Sequence, residues 1–209
     1  MKIFFLHPHK TGGTSVIRKL NLNRTHRTYK SLSFFNKNIF SSQNSFADLY
    51  TNLRLLNQAK PKYLISNNDH NKDYYIGIVR NPYRRVCSWY NNVKNDINHQ
   101  TKFNFKKNMS LIEFIKANEN TLPLKPMTYW FTDWNGKYII NNFIRNENLE
   151  NDLNKILSKI GVSKVKLEYL NKSKSIYNFK DLIDEQAIKW IFDNHYEDFI
   201  NFGYNKNVY

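Results

Sequence analysis

The chain has little of what several common protein classes require. It contains a single cysteine, Cys87, in 209 residues. That rules out an intrachain disulfide and any cysteine-based metal cluster. No apolar run reaches the length of a spanning helix, and the opening "KIFFLH" is too short for the apolar region of a signal peptide. The expectation is a soluble, cytoplasmic protein with no membrane span. Six glycines and five prolines form no linker, and no segment repeats, so residues 1–209 read as a single domain. Acidic residues are scarce: 17 against 32 lysines and arginines, a formal net charge of +15. Such an excess suits either a solvated lysine-rich surface or an anionic partner. The basic residues are spread from Arg18 to Lys30, Arg84 to Arg85, Lys102 to Lys107 and Lys164 to Lys174. That distribution excludes a disordered basic tail.

Aromatic residues make up 16 % of the chain, ample material for one sizeable core. The segments 2–7, 63–66 and 74–79 are short, apolar and β-prone, bounded by polar turn residues. Helical patterns begin after the glycines at 14–20 and again at Pro82, where proline is permitted in a first turn. Ser110 and Glu113 form a capping box for a helix to about Asn118. Leu149, Leu153, Ile156, Leu157 and Ile160 share one helical face that stops at Gly161. A last helix places Ile188, Ile191, Phe192, Tyr196 and Phe199 on one face, with His195 inside it. Alternating strand and helix signals predict an α/β fold with a mainly parallel sheet.

The most informative segment is "FFLHPHKTGGTSVIRKL", Phe4 to Leu20. A strand, a glycine-containing turn and a helix start make a ready anion cradle: unpaired first-turn N–H groups point outward and the helix dipole adds positive potential. Gly12 and Gly13 would permit close backbone approach, Lys10 brings a full charge, and Thr11, Thr14 and Ser15 bring hydroxyls. In the Walker pattern the lysine follows the last glycine, whereas here it precedes both. The second segment, "IGIVRNPYRRVCSWY" (76–90), delivers Arg80 from a strand into a proline turn and a helix carrying Arg85, Ser88 and Tyr90. An arginine fork with a nearby hydroxyl suits a phosphate monoester.

Together these segments resemble the Golgi-type carbohydrate sulfotransferase family and its bacterial and viral relatives. "HKTGGTS" resembles that family's 5′-phosphosulfate loop, with His9 where the family has proline. "RNPYRRVCSWY" resembles its 3′-phosphate motif, and the likeness continues through "FIRNENL", "LNKS" and "DFINFGY". The resemblance implies a P-loop-like three-layer fold and 3′-phosphoadenosine 5′-phosphosulfate (PAPS) as sulfuryl donor, leaving adenosine 3′,5′-bisphosphate. It implies donor binding by Lys10, Thr11, Gly12, Gly13, Thr14, Ser15, Arg80 and Ser88, with further contacts from Lys172, Ser173 and Lys174. The acceptor would be a carbohydrate or other hydroxylated molecule, possibly one already anionic.

Sulfuryl transfer needs in-line geometry, charge stabilisation on the leaving group and a base for the attacking hydroxyl. Lys10 would serve the leaving phosphate, and no metal is expected. Among six histidines, His70 is the candidate base, since it lies in a loop just before the Arg80 strand with Asp69 beside it. His26 and Asp69 are the alternatives for that role. Two rival readings make different demands. A P-loop nucleotide kinase or NTPase would need a lysine after the glycines and a strand-end aspartate for Mg²⁺, which "IGIVRNP" does not supply. A nucleic-acid-binding protein would leave both phosphate motifs as coincidence.

Overall fold

A computed structural model describes residues 2–22, 28–30, 64–65, 73–168 and 179–207. Strand β1 spans Lys2–Leu6, β2 Leu64–Ile65, β3 Asp73–Val79 and β4 Asn142–Arg145. They form one sheet in the order β2-β1-β3-β4. β1 and β4 flank β3 in parallel, and β2 pairs antiparallel with β1 at the edge. The fold is α/β with a mainly parallel sheet, as the alternation of signals predicts. β4 is a strand that the hydrophobic pattern alone does not announce.

Contacts divide the chain into two compact units, Met1–Val79 with Tyr129–Leu170, and Arg80–Thr128 with Asn171–Tyr209. The first is built on the sheet. Strand alternation puts Ile3, Ile76, Ile78 and Ile144 on one face. Against it pack Val16 of helix α1 (Gly13–Lys19) and Leu149, Leu153, Ile156 and Leu157 from a helix over Leu149–Lys159. That later helix is the amphipathic stretch expected from its leucine and isoleucine spacing. On the opposite face, Gly77 is covered by Phe131 and Ile140, and a Cβ at Gly77 would lie 2.9 Å from Ile140 Cδ1. The segment between those two residues forms a hairpin containing Gly136: Thr132 bridges Tyr138, and Asp133 Oδ1 accepts from Asn135 N and Lys137 N.

The second unit is helical. Its helices, in chain order, are α2 (Pro82–Lys94), α3 (Ile97–Lys102), α4 (Leu111–Asn118) and α5 (Met127–Trp130, whose end passes into the first unit). With the Leu149–Lys159 helix as α6, they continue as α7 (Phe179–Leu182), α8 (Glu185–Asn194) and α9 (Tyr196–Phe202). Tyr83, Val86, Trp89, Tyr90 and Val93 of α2 bury against Phe114, Ile115, Ile191 and Phe199. Ser110 and Glu113 form the predicted capping box at the start of α4.

The last helix is a correction. The sequence reads as one amphipathic helix through His195, but the backbone breaks there, at φ −118° and ψ 20°, into α8 and α9. The cause is polar: His195 and Asp198 are both fully buried and interact, which turns the chain inward where a continuous stripe would carry on. Tyr196, expected on the apolar face, is 47 % exposed.

Candidate functional site

The loop between β1 and α1 is held in an unusual shape by its own atoms. Lys10 has φ +65° and Gly12 φ +84°, both in the left-handed region. For a lysine that conformation costs roughly 1 kcal/mol and has to be enforced. Enforcement comes from Thr11, whose N–H and Oγ1 both donate to the Pro8 carbonyl, at 3.4 and 2.8 Å. The expectation of a phosphate-facing Thr11 hydroxyl changes accordingly. Thr11 has no exposed surface, and its only hydroxyl proton closes the turn. Lys10 and Thr14 are half-buried, and Ser15 is buried in the first turn of α1.

The two glycines have partners the sequence does not reveal. A Cβ on Gly13 would stand 2.5 to 2.8 Å from ring and Cβ atoms of His7, the buried residue just past β1. A Cβ on Gly12 would overlap the Asn146 side chain, whose Nδ2 donates to the Thr11 carbonyl at 3.1 Å. Close approach is therefore the reason for both glycines, but the atoms that come close belong to His7 and Asn146. Gly12 also caps α1 in its left-handed conformation, and no side-chain hydrogen bond caps that helix. His9 stands edge-on to Trp130, ring centroids 5.4 Å apart.

The second motif begins where β3 ends, since Val79 runs directly into Arg80. The Arg80 N–H points at the Met127 sulfur, 3.3 Å away. Asn81 then caps α2, accepting from Arg84 N at 3.2 Å, and Pro82 takes the first turn. Arg80 and Ser88 are both half-buried. Arg85 is not: it is 1 % exposed, with Nη1 donating to Pro123 O at 3.0 Å and Nη2 to Lys125 O at 2.6 Å. Its guanidinium is spent on backbone. Burial, and to a lesser degree the nearby Arg80 charge, pull its pKa down to about 10, against the pull of Asp198. Cys87, two residues further along the helix, has its thiol pushed up to about 12, chiefly by burial.

Behind these residues lies a buried cluster. Asp198 accepts from Met127 N at 2.7 Å and Thr128 N at 2.8 Å. His195 Nδ1 lies 3.3 Å from Asp198 Oδ2 and 3.5 Å from Arg85 Nη2. Sequence reasoning gave no role to Asn146, which holds the Thr11 carbonyl, or to Asp198, which holds the Met127 and Thr128 N–H groups. The "DFINFGY" likeness pointed to Asp198, but nothing in the chain links Asn146 to residue 11. His70, Lys172, Ser173 and Lys174, together with His26 and Asp69, lie outside the described residues. Among the described residues, no group of three or more His, Cys, Asp or Glu side chains could hold a metal ion. Among them, too, no helix is long and apolar enough to cross a membrane.

A strand, a lysine-bearing turn and a helix start, followed by an arginine–proline turn after the neighbouring parallel strand, make a strong architectural signature. The profile described as "Sulfotransferase family" matches residues 1–205, nearly the whole chain. The chain belongs to the sulfotransferase family. No curated protein and no solved structure matches it. As a sulfotransferase it is an enzyme that moves a sulfuryl group to an acceptor, in general a hydroxylated one. In this sulfotransferase the Lys10 loop and the Arg80 turn follow adjacent parallel strands whose register pairs Leu6 with Gly77.

Proposed function

We propose that this sulfotransferase takes its sulfuryl group from PAPS and passes it in line to a hydroxyl of a carbohydrate or similar acceptor, working in the cytoplasm. The observation that carries the reading is the Lys10 turn. A lysine held at φ +65° by the Thr11–Pro8 hydrogen bonds is a strained arrangement that packing alone does not call for. It suits a cation fixed beside the start of α1.

In this reading Lys10 and the backbone of Gly12, Gly13 and Thr14 take the 5′-phosphate, with the hydroxyls of Thr14 and Ser15 as further donors. Arg80 and Ser88 take the 3′-phosphate, and Lys172, Ser173 and Lys174 add donor contacts. Thr11 and Arg85 keep those groups in place from behind. PAPS supplies an activated sulfuryl group whose departure leaves charge on the 5′-phosphate oxygens, and the Lys10 ammonium offsets that charge. His70 is the proposed base for the acceptor hydroxyl. The net charge of +15 supports an acceptor that already carries carboxylates or sulfates.

The test is transfer of labelled sulfate from PAPS to a panel of neutral and anionic glycans. Lys10→Ala and Arg80→Ala should abolish transfer, and His70→Ala should lower turnover far more than donor binding. Transfer to none of the glycans, with free hydroxylated metabolites sulfated instead, would remove the carbohydrate assignment. Near-normal turnover of His70→Ala would move the base to His26 or Asp69.

A further inference from the structure

The Thr11–Gly12 peptide has its carbonyl tied down from outside the loop. Asn146 Nδ2 donates to the Thr11 oxygen at 3.1 Å, across 135 positions of sequence. In a trans peptide the carbonyl and the following N–H point in opposite directions. Pinning the Thr11 oxygen to Asn146 therefore turns the Gly12 N–H away from Asn146, and with Gly12 at φ +84° its orientation is fixed. Asn146 is itself held. Asp152 accepts from Arg145 N at 3.1 Å through Oδ2 and from Asn148 Nδ2 at 2.7 Å through Oδ1. One carboxylate of α6 thus grips the turn on both sides of Asn146. Holding a carbonyl takes a donor, so an aspartate of the same shape at 146 would face the Thr11 oxygen with a second acceptor.

We infer that Asn146 is a positioning residue for the donor loop: by holding the Thr11 carbonyl it aims the Gly12 N–H at the 5′-phosphate. The inference rests on the assignment of the Lys10 loop to the donor's 5′-phosphate. It extends that assignment to a residue just past β4, 135 positions from the loop in sequence.

Two ligands separate a positioning role from a purely structural one. Adenosine 3′,5′-bisphosphate carries the 5′-phosphate and adenosine 3′-monophosphate lacks it. Calorimetric titration of Asn146→Ala should show affinity for the bisphosphate reduced about tenfold, the scale of one lost hydrogen bond to a charged group, and affinity for the monophosphate changed less than about twofold. An equal loss on both ligands, or no loss on either, overturns the inference while leaving the donor assignment standing. If the unaltered enzyme fails to bind the bisphosphate, or binds it no better than the monophosphate, the donor assignment falls and the inference with it. Should Asn146→Ala not fold, the unaltered protein supplies the answer. Its Gly12 amide resonance should move downfield on titration with the bisphosphate and stay put with the monophosphate, and a Gly12 amide indifferent to both is contradictory.

Discussion

His195 Nδ1 and Asp198 Oδ2 stand 3.3 Å apart in a position where neither residue has any exposed surface. Burial holds the imidazole pKa below its ordinary value of 6.5; Asp198 opposes that shift and the Arg85 charge reinforces it. The native state therefore keeps His195 neutral under conditions where the unfolded chain accepts a proton. Stability from this residue is complete above about pH 6.5 and is lost as pH falls below it, because the unfolded state then binds the extra proton. Thermal unfolding from pH 7.5 down to 5.5 should show a falling Tm. In His195→Gln the slope over that window should be shallower, whatever the starting Tm. An unchanged slope would mean that other groups govern it.

Arg85, almost fully buried, bridges two carbonyls, Pro123 O and Lys125 O. Replacing it with methionine leaves both carbonyls and Asp198 short of a buried cation, at a cost of about 3 kcal/mol or more. Lysine should rescue little, since one ammonium cannot reproduce a planar fork on two acceptors. Urea unfolding of Arg85→Met and Arg85→Lys tests this. A loss within about 0.5 kcal/mol for either variant would show that the bridge is dispensable.

Gly13 and His7 should be energetically coupled. An alanine at 13 puts its Cβ 2.5 Å from the His7 ring, and overpacking of this kind costs on the order of 1–3 kcal/mol. In a His7→Gly background, which removes the His7 Cβ as well as the ring, most of that cost should vanish. A double-mutant cycle by chemical denaturation reads the coupling directly, and simple additivity would place the strain elsewhere.

Cys87 should be inert in the folded enzyme. Burial pushes its thiol up to about 12, so very little thiolate is present at neutral pH. Ellman's reagent should label it only after unfolding. Rapid labelling of the native protein would show that the α2 face around Cys87 opens readily.

Much of the frame was legible because it depends on short-range pattern. The β1 and β3 strands, the Ser110–Glu113 box and the α6 leucines follow from periodicity and capping within a few residues. What stayed hidden depends on distant partners. β4 is short and half-buried, with Asn142 and Arg145 at its ends, so its strand character comes from pairing with β3. The break at His195 depends on Asp198 reaching the α5 start at Met127 and Thr128. The glycines were correctly singled out, yet their necessity comes from His7 and Asn146. Thr11 and Arg85 belong to the recognised motifs, but the structure uses them to shape the loop and to anchor the 123–125 backbone.

The central claim is that Lys10 and Arg80 hold different phosphates of the same nucleotide. It is tested most directly by titrating adenosine 3′,5′-bisphosphate, adenosine 3′-monophosphate and adenosine 5′-monophosphate into the unaltered enzyme, Lys10→Ala and Arg80→Ala. The account predicts that Lys10→Ala weakens only the two ligands with a 5′-phosphate, and Arg80→Ala only the two with a 3′-phosphate, each by about tenfold or more. If both substitutions weaken the same ligands, or neither weakens any, the account is contradicted.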